Sequence, residues 1–271
     1  MSEKLSKFQG LSVNAAKTAE KLGLEITKLA EETIPYLETV QHIPLLSQTA
    51  KSKLAEIWTS ETEGVIKNIK SKFLSKGLDL EEDGLTAYSL FMQSQSDYDG
   101  TIYNKITERK KNEWVEGSAD SKDSRFIIDT KISWDIYSFD ANRFKPLDIT
   151  YLWQGKSYSW LYEKEGAKIV HVLLNTPEYL IQAEERKLAY ELFGELSSAI
   201  DNPIYVEACK ELRAKHIHDH RPLKRRVYVT DVPFNFEEDT EKIKQCVKDC
   251  RYYLNNIEKQ NYEQEEEIQT A

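Results

Sequence analysis

Residues 116–133 read EGSADSKDSRFIIDTKIS, and this stretch decides the fold of the chain. Two short β-prone segments, 114–120 and 125–133, lie on either side of a polar stretch at 121–124. Apolar, β-branched runs separated by a few turn-forming residues are typical of a β-hairpin. The sequence therefore predicts a hairpin at the centre of the chain.

Polar side chains gather at one end of this predicted hairpin. Residues i and i+2 of a strand point to the same face, so Asp129 and Lys131 should project together. Asp120 ends the preceding strand, where a short turn can bring its carboxylate beside that of Asp129. Two carboxylates suffice for Mg²⁺, which completes its shell with water and substrate phosphate. An Asp-x-Lys triplet on a strand is also common on a solvent face, so the surrounding sequence has to decide.

The flanking segments predict an α/β (α+β) core with a small mixed β-sheet flanked by helices, after an N-terminal helical region. Helices are expected at 15–30, 49–73, 80–93, 149–162, 177–200, 203–216 and 238–257, and further strands at 168–175 and 225–231. Asp148 should cap the helix at 149–162. We expect a helical region at 1–75, a core at 76–256 and an acidic, disordered tail at 257–271.

The composition leaves DNA open as a substrate despite a net charge of −9. The tail at 257–271 holds five acids and one lysine, and a metal-binding enzyme needs carboxylates whose cation meets the phosphate. Three cysteines without metal-ligand spacing favour a reducing compartment. The absence of a signal-like N-terminus or a long apolar run predicts a cytoplasmic protein without a membrane partner.

The order of several short motifs resembles the PD-(D/E)XK nuclease superfamily, in its phage lambda-type and RecB-type exonuclease branch. Ala119-Asp120, a spacer and Asp129-Thr-Lys131 resemble the catalytic motif, with alanine in place of proline. Gln154-Gly-Lys-Ser-Tyr158 resembles the Q-x-x-x-Y motif, and both residues should share a helix face. Upstream, 76–81 (KGLDLE) resembles the family's early helix, in which a glycine, here Gly77, precedes by four positions an acidic residue, here Glu81. The likeness covers about residues 76–186.

The resemblance implies a restriction-endonuclease-like core and assigns roles within it. Glu81 would complete a metal site with Asp120 and Asp129, although the adjacent Glu82 stays an alternative. The expected ion is Mg²⁺, for which Mn²⁺ can substitute. Lys131 would position the attacking water or help to deprotonate it. The resemblance also implies that Gln154 and Tyr158 contact the DNA strand.

The implied activity is 5′→3′ exonuclease digestion of duplex DNA ends in phage-type recombination. The resemblance also implies a single-strand annealing protein as partner, and a homo-oligomer. Two alternatives stay open: an endonuclease of a restriction or defence system on the same fold, and a catalytically silent DNA-binding or assembly protein. Both Asp129→Ala and Lys131→Ala should abolish cleavage without unfolding, since we expect both residues to be partly exposed at a cleft.

A histidine-rich segment precedes a basic one near the C-terminal end of the core. His216, His218 and His220 have the alternate spacing of strand ligands, so a structural zinc ion is one interpretation. The other joins these histidines to Arg221 and Arg225 in a basic patch that contacts DNA phosphates. The sequence favours the second, because it offers no cysteine or further ligand nearby.

Overall fold

The computed structural model of the chain describes residues 46–67, 71–96 and 98–257. Its contacts divide the chain into two units, one of residues 69–241 and one of residues 1–68 with 242–271. The expected helix at 15–30 and nearly all of the acidic tail lie outside the described residues. The expected boundaries at 75/76 and 256/257 stay predictions.

Eight helices and six strands make up the described part of the chain. In chain order they are α1 (Gln48–Glu63), α2 (Lys72–Asp79), α3 (Glu81–Gln93), β1 (Lys110–Lys111), β2 (Glu116–Gly117), β3 (Ser121–Lys122), β4 (Phe126–Ile132), α4 (Ile136–Arg143), α5 (Ile149–Tyr162), β5 (Gly166–Val172), α6 (Glu178–Phe193), α7 (Pro203–Ala214), a 3₁₀ turn (Leu223–Arg225), β6 (Val227–Pro233) and α8 (Phe236–Asn255). A small mixed sheet flanked by helices is confirmed.

The central sheet has the strand order β3-β4-β5-β6. β3 runs antiparallel to β4, β4 parallel to β5, and β5 antiparallel to β6. The parallel pair requires a crossover connection, because a tight turn can join only antiparallel neighbours. α4 and α5 provide that crossover between β4 and β5. The strand predicted at 168–175 is confirmed as β5, which begins two residues and ends three residues earlier.

Both faces of β4 are buried, which fixes its orientation. Ile128 packs in a core cluster with Leu85 and Tyr88 of α3. Ile127 packs in a second cluster with Ile169 of β5 and Leu161 of α5. Since side chains alternate along a strand, Asp129 and Lys131 share the face of Ile127, towards α5. Slipping the register by one residue would turn these polar groups onto the α3 face and is therefore strongly disfavoured.

Helix α5 begins and ends where the sequence predicts. The Asp148 side chain accepts a hydrogen bond of 2.8 Å from the Thr150 backbone N–H, which caps the first turn. Gly155 lets the helix approach the sheet, because a Cβ there would lie 3.0 Å from the Ala167 Cβ. The helix is thus held closely over β5.

The predicted hairpin has its turn in the wrong place. Ser121 and Lys122 form β3 and pair with Ile128 and Ile127, so the turn consists of residues 123–125. The Asp123 side chain accepts hydrogen bonds from the backbone N–H groups of residues 125 and 126, which stabilises this tighter turn. Asp120 consequently lies just before β3 rather than at a strand end.

Three helix predictions also need correction. The helix expected at 49–73 stops at Glu63, because Gly64 adopts a left-handed conformation with φ of 67°, and α2 is a separate helix. The helix expected at 177–200 stops at Phe193 for the same reason, with Gly194 at φ of 76°. Helix α4 was not predicted; Asp135 and Ser138 form its capping box. Among the described residues, no helix is long and apolar enough to cross a membrane.

Candidate active site

Asp129 and Lys131 meet on the α5 face of β4, as the strand periodicity predicts. The Lys131 Nζ lies 2.6 Å from the Asp129 Oδ2. Asp129 is only 1% exposed, and burial raises the pKa of its carboxyl although Lys131 opposes that rise. The expectation that Asp129 is partly exposed is therefore wrong. Its neighbour on β5 is the buried Ile169, and a carboxylate that is buried in this way depends on a nearby cation.

Asp120 reaches the same site from the loop before β3. Its Oδ2 accepts hydrogen bonds from the Thr130 backbone N–H at 2.7 Å and from the Thr130 Oγ1 at 2.8 Å. Burial raises the pKa of Asp120, and the charge of Asp129 raises it further. The two carboxylates are thus near enough to repel each other. Thr130, which the sequence did not single out, holds Asp120 in this place.

Lys131 connects the acidic pair to helix α5. Its Nζ donates a hydrogen bond of 3.0 Å to the Gln154 Oε1, and the Gln154 Nε2 donates one of 3.3 Å to the Tyr158 hydroxyl. The same Nζ lies 4.6 Å from the centre of the Tyr151 ring. The Q-x-x-x-Y pair therefore forms one chain of contacts with the lysine. Tyr151, three residues before Gln154, was missed, although helical spacing places it on that face.

Helix α3 brings Glu81 to the edge of this cluster. The charge of Glu81 contributes to the raised pKa of Asp129, whereas no such contribution comes from Glu82. The side chain of Glu81 is 24% exposed and that of Glu82 is 77% exposed, and the Lys105 Nζ lies 3.2 Å from the Glu81 Oε2. The geometry thus favours Glu81 over Glu82 as the third acid.

The glycine that matters for this placement is not the one in the motif. A Cβ at Gly77 would meet nothing within 4 Å, so no close packing requires glycine there. A Cβ at Gly84 would lie 2.6 Å from the Ile132 Cδ1 and 3.7 Å from the Thr130 Cβ. Gly84 therefore allows α3 to lie close against β4, which holds Glu81 near Asp129.

The two neighbouring carboxylates, those of Asp120 and Asp129, fit a divalent cation. The Asp129 Oδ2 is buried, and within the described ranges its contact is the ion pair with the Lys131 Nζ at 2.6 Å. A cation between Asp120 and Asp129 would remove the repulsion between them. Within the described ranges, no three His, Cys, Asp or Glu side chains are grouped as a metal site. Glu81 is thus not preassembled with the pair, and Mg²⁺ needs only one or two carboxylates.

The histidine segment forms neither of the predicted arrangements. His216 and His218 are buried, and the His216 Nδ1 lies 3.0 Å from the Thr176 Oγ1. Buried rings cannot contribute to a surface patch, so the proposed joining of His216 and His218 to the arginines is wrong, whereas His220 is exposed. No described metal-ligand group includes them. The burial of His216 and His218 decides against both arrangements, and the spacing of the histidines in the sequence does not reveal that burial.

Arg221 and Arg225 lie away from the acidic pair. They belong to the turn and the 3₁₀ segment before β6, and neither contacts the Asp129–Lys131 pair. The register nevertheless aligns Val227, the first residue of β6, with Val172 and so with Ile132, the last residue of β4. The arginines therefore precede β6 at the end of the sheet where β4 ends.

Comparisons with known proteins agree with this architecture. No protein-family model and no curated protein matches the sequence. The structure is similar to a phage-related exonuclease from Haemophilus somnus 129PT, with a TM-score of 0.60 and 26% identity over 82% of this chain and 88% of that one. It also shares its fold with an alkaline exonuclease from Laribacter hongkongensis, with a TM-score of 0.50 and 11% identity over 86% and 92% of the two chains. The first likeness confirms the resemblance to phage-type exonucleases of the PD-(D/E)XK superfamily, and the second is a likeness of fold alone.

Proposed function

We propose that this chain is a magnesium-dependent DNA exonuclease that digests one strand of duplex ends. The observation that carries the proposal is the continuous set of contacts from Asp129 through Lys131 and Gln154 to Tyr158. The named activity of the Haemophilus protein supports the exonuclease class. A 5′→3′ direction, a recombination role, an annealing partner, a homo-oligomer and a cytoplasmic location are parts of the proposal that rest on the motif resemblance.

Asp120 and Asp129 would hold the cation, with Glu81 as the third acid. A bound Mg²⁺ supplies an activated water and neutralises charge on the phosphate. The ammonium of Lys131 adds a second positive charge beside Asp129, where it can stabilise the negative charge that develops on the phosphate oxygens. Gln154 fixes the lysine by accepting its hydrogen bond, and Tyr158 fixes Gln154 in turn. Lys131 and Gln154 are therefore held in position before the substrate binds.

The proposal is tested with linear and circular duplex DNA of the same sequence, incubated with the full chain and either Mg²⁺, Mn²⁺ or a chelator. We expect loss of the linear form only, and only with a divalent cation. Asp129→Ala should abolish it, whereas Lys210→Gln, a substitution on the exposed surface of α7, should not.

Other outcomes identify the alternatives. Cutting of the circle would make the protein an endonuclease, and no cutting of either form by folded protein would leave a silent DNA-binding protein. Unchanged cleavage in the chelator would overturn the metal requirement. Labelling one 5′ or one 3′ end of the linear DNA then reads the polarity from which label is released first.

A further inference from the structure

A pocket of about 340 Å³ lies at the end of the central sheet that is opposite to the acidic cluster. Its lining includes Trp160 of α5, residues 163–165 and two phenylalanines that follow β6, Phe234 and Phe236. Residue 165 directly precedes β5, whereas Lys131 lies opposite His171, further along that strand. A strand advances about 3.3 Å per residue, so the pocket lies roughly 16 Å from Lys131 along the sheet. The proposed cleavage chemistry does not use it.

Glu163 has a backbone conformation that is unfavourable for its residue type. Among the residues that the structure describes, it is the one non-glycine residue with a positive φ, 54°. It caps the C-terminal end of α5, a position at which glycine avoids the steric cost that a Cβ brings. Its carboxylate adds a second cost, because the C-terminal end of a helix carries partial negative charge. A residue that lowers stability in two ways and lines a pocket indicates a binding role.

The charge of Glu163 is not neutralised by a neighbour. The Glu165 carboxylate accepts hydrogen bonds of 2.9 and 3.0 Å from the Arg125 Nε. The Lys164 Nζ donates one of 3.0 Å to the Ser124 carbonyl oxygen. The Glu163 side chain is exposed, and in the described part of the chain it forms no salt bridge or hydrogen bond. Its negative charge is therefore available to a ligand.

The aromatic part of the lining forms a corner. The ring centroids of Phe234 and Phe236 are 6.3 Å apart, and the ring planes meet at 84°. Phe236 is 65% exposed, which leaves much of its apolar ring in contact with water. The face of an aromatic ring carries partial negative charge and attracts cations, most strongly in tryptophan. Perpendicular rings beside a carboxylate are therefore suited to an ammonium or guanidinium group that has an apolar stem.

The same lining does not suit a metal ion. Mg²⁺ and Ca²⁺ take six or more oxygen ligands, and Glu163 is the one carboxylate of this pocket without an ion pair. Within the described ranges, no group of three His, Cys, Asp or Glu side chains could hold a metal. One available negative charge also matches a monovalent ligand better than a polyamine. A monovalent organic cation is the ligand class that remains.

We propose that this pocket binds a monovalent organic cation, an alkylammonium or guanidinium group of the kind that lysine and arginine side chains carry. Its charge would lie at Glu163 and its apolar stem against Trp160, Phe234 and Phe236. The inference does not rest on the proposed nuclease function. It accounts for a glutamate at a position where backbone geometry and helix polarity both favour another residue.

An NMR titration of the full chain tests the proposal. The readout is the Trp160 indole N–H signal, which is identified with a Trp160→Phe variant. The ligands are N-acetyl-arginine amide, N-acetyl-lysine amide, butylammonium and the neutral N-acetyl-norleucine amide. The cations should bind with a Kd on the order of 1–10 mM, as expected for one small ligand that gains a cation–π contact and one charge pair. The norleucine derivative should bind at least about tenfold more weakly, since it lacks the charge.

Substitutions then separate the charge, the aromatic ring and the backbone. Glu163→Gln should weaken cation binding by about tenfold, and Phe236→Leu by about threefold. Glu207→Gln removes an exposed carboxylate on α7 and should change nothing. Glu163→Gly should abolish the preference for cations and raise the melting temperature by about 2–4 °C, because glycine relieves the left-handed backbone.

The outcomes decide both the pocket and the source of its ligand. Tighter binding of the blocked amino acids than of butylammonium supports the pocket with a polypeptide as source, and equal binding supports it with a free amine. Norleucine amide that binds as well as lysine amide, or Glu163→Gln that binds like the wild type, overturns the proposal. So does a lower melting temperature of Glu163→Gly, which would make the glutamate a stabilising cap. DNA cleavage should be unchanged in every variant, so a failure here leaves the nuclease proposal intact.

Discussion

Two lysines of the core, Lys131 and Lys76, have opposite environments. Lys131 lies beside the carboxylate of Asp129, its side chain is 19% exposed, and its remaining contacts reach an amide and an aromatic ring. Lys76 is 1% exposed and has no acidic partner in contact among the residues that the structure describes. Its Nζ donates to the Trp134 and Leu174 carbonyl oxygens and to the Thr176 Oγ1 at 2.8–3.0 Å.

The difference separates a reactive group from a structural one. Lys76 joins α2 to the segments after β4 and β5, and all of its donors are used within the protein. Lys131 stands beside two carboxylates, and the charge of Asp129 raises the pKa of Asp120. Burial alone therefore does not identify a functional lysine. What identifies it is the negative charge of its neighbours.

The largest expected effect concerns Lys131. Replacing it by methionine removes the ammonium but keeps the length of the side chain, so kcat on linear duplex DNA should fall by about 10²–10⁴-fold. Lys76→Met should leave the kcat of the folded protein within a few-fold of the wild type. Both are measured at a temperature at which circular dichroism shows folded protein. An active Lys131→Met variant, or an inactive but folded Lys76→Met variant, would remove the distinction between the two residues.

The second-largest expected effect is a loss of stability when Lys76 is replaced. Lys76→Met leaves two carbonyl oxygens without their donor, and the free energy of unfolding should fall by about 2 kcal/mol. Burial lowers the pKa of Lys76 to about 7. The unfolded chain keeps this proton up to about pH 10, so it binds more protons than the folded chain between these values. The stability of the wild type relative to Lys76→Met should therefore rise from pH 7 to pH 10.

Denaturant titrations of both proteins across this pH range test the linkage. The comparison with Lys76→Met cancels other groups that titrate in the same range. A difference in unfolding free energy that does not change with pH would mean that Lys76 keeps its proton in the folded protein.

A smaller effect is expected at Gln154. Gln154→Ala removes the acceptor that positions the Lys131 Nζ, so the turnover should fall by about tenfold, the range of one hydrogen bond. Tyr158→Phe removes only the next contact and should cost less. The melting temperature of both variants is the control, because both side chains are only partly buried. A large loss of stability with intact turnover would make Gln154 a packing residue.

The smallest expected effect is a gain of stability at Asp120. Asp120→Asn keeps an oxygen acceptor for Thr130 but removes the repulsion with Asp129, which should stabilise the fold by about 1 kcal/mol at neutral pH. The pKa of Asp120 is raised in the folded protein, so its negative charge lowers the stability of the fold only above the normal carboxyl pKa near 4. Unfolding experiments at pH 7 and pH 4 should show the gain at the higher value and little at the lower. An equal gain at both would assign it to packing, and cleavage should fall in either case.

The sequence predicted the parts of the site that depend on local periodicity. Alternation along β4 placed Asp129 and Lys131 together, and the four-residue spacing placed Gln154 beside Tyr158. The strand β5 and the cap of α5 at Asp148 were also predicted from local signals, a continuous apolar run and a capping residue. It did not predict where glycines end helices, so the ends at Gly64 and Gly194 were missed.

Tertiary packing decided the features that local patterns do not contain. The sequence by itself determined which residues share a face of β4 or α5, because backbone geometry fixes side-chain direction within one element. Only the folded structure decided that Asp129 is fully buried, that His216 and His218 lie inside, and that Gly84 rather than Gly77 needs to lack a side chain. These facts depend on which distant segment covers each residue, and burial, with the pKa and partners that follow from it, arises only when the segments pack together.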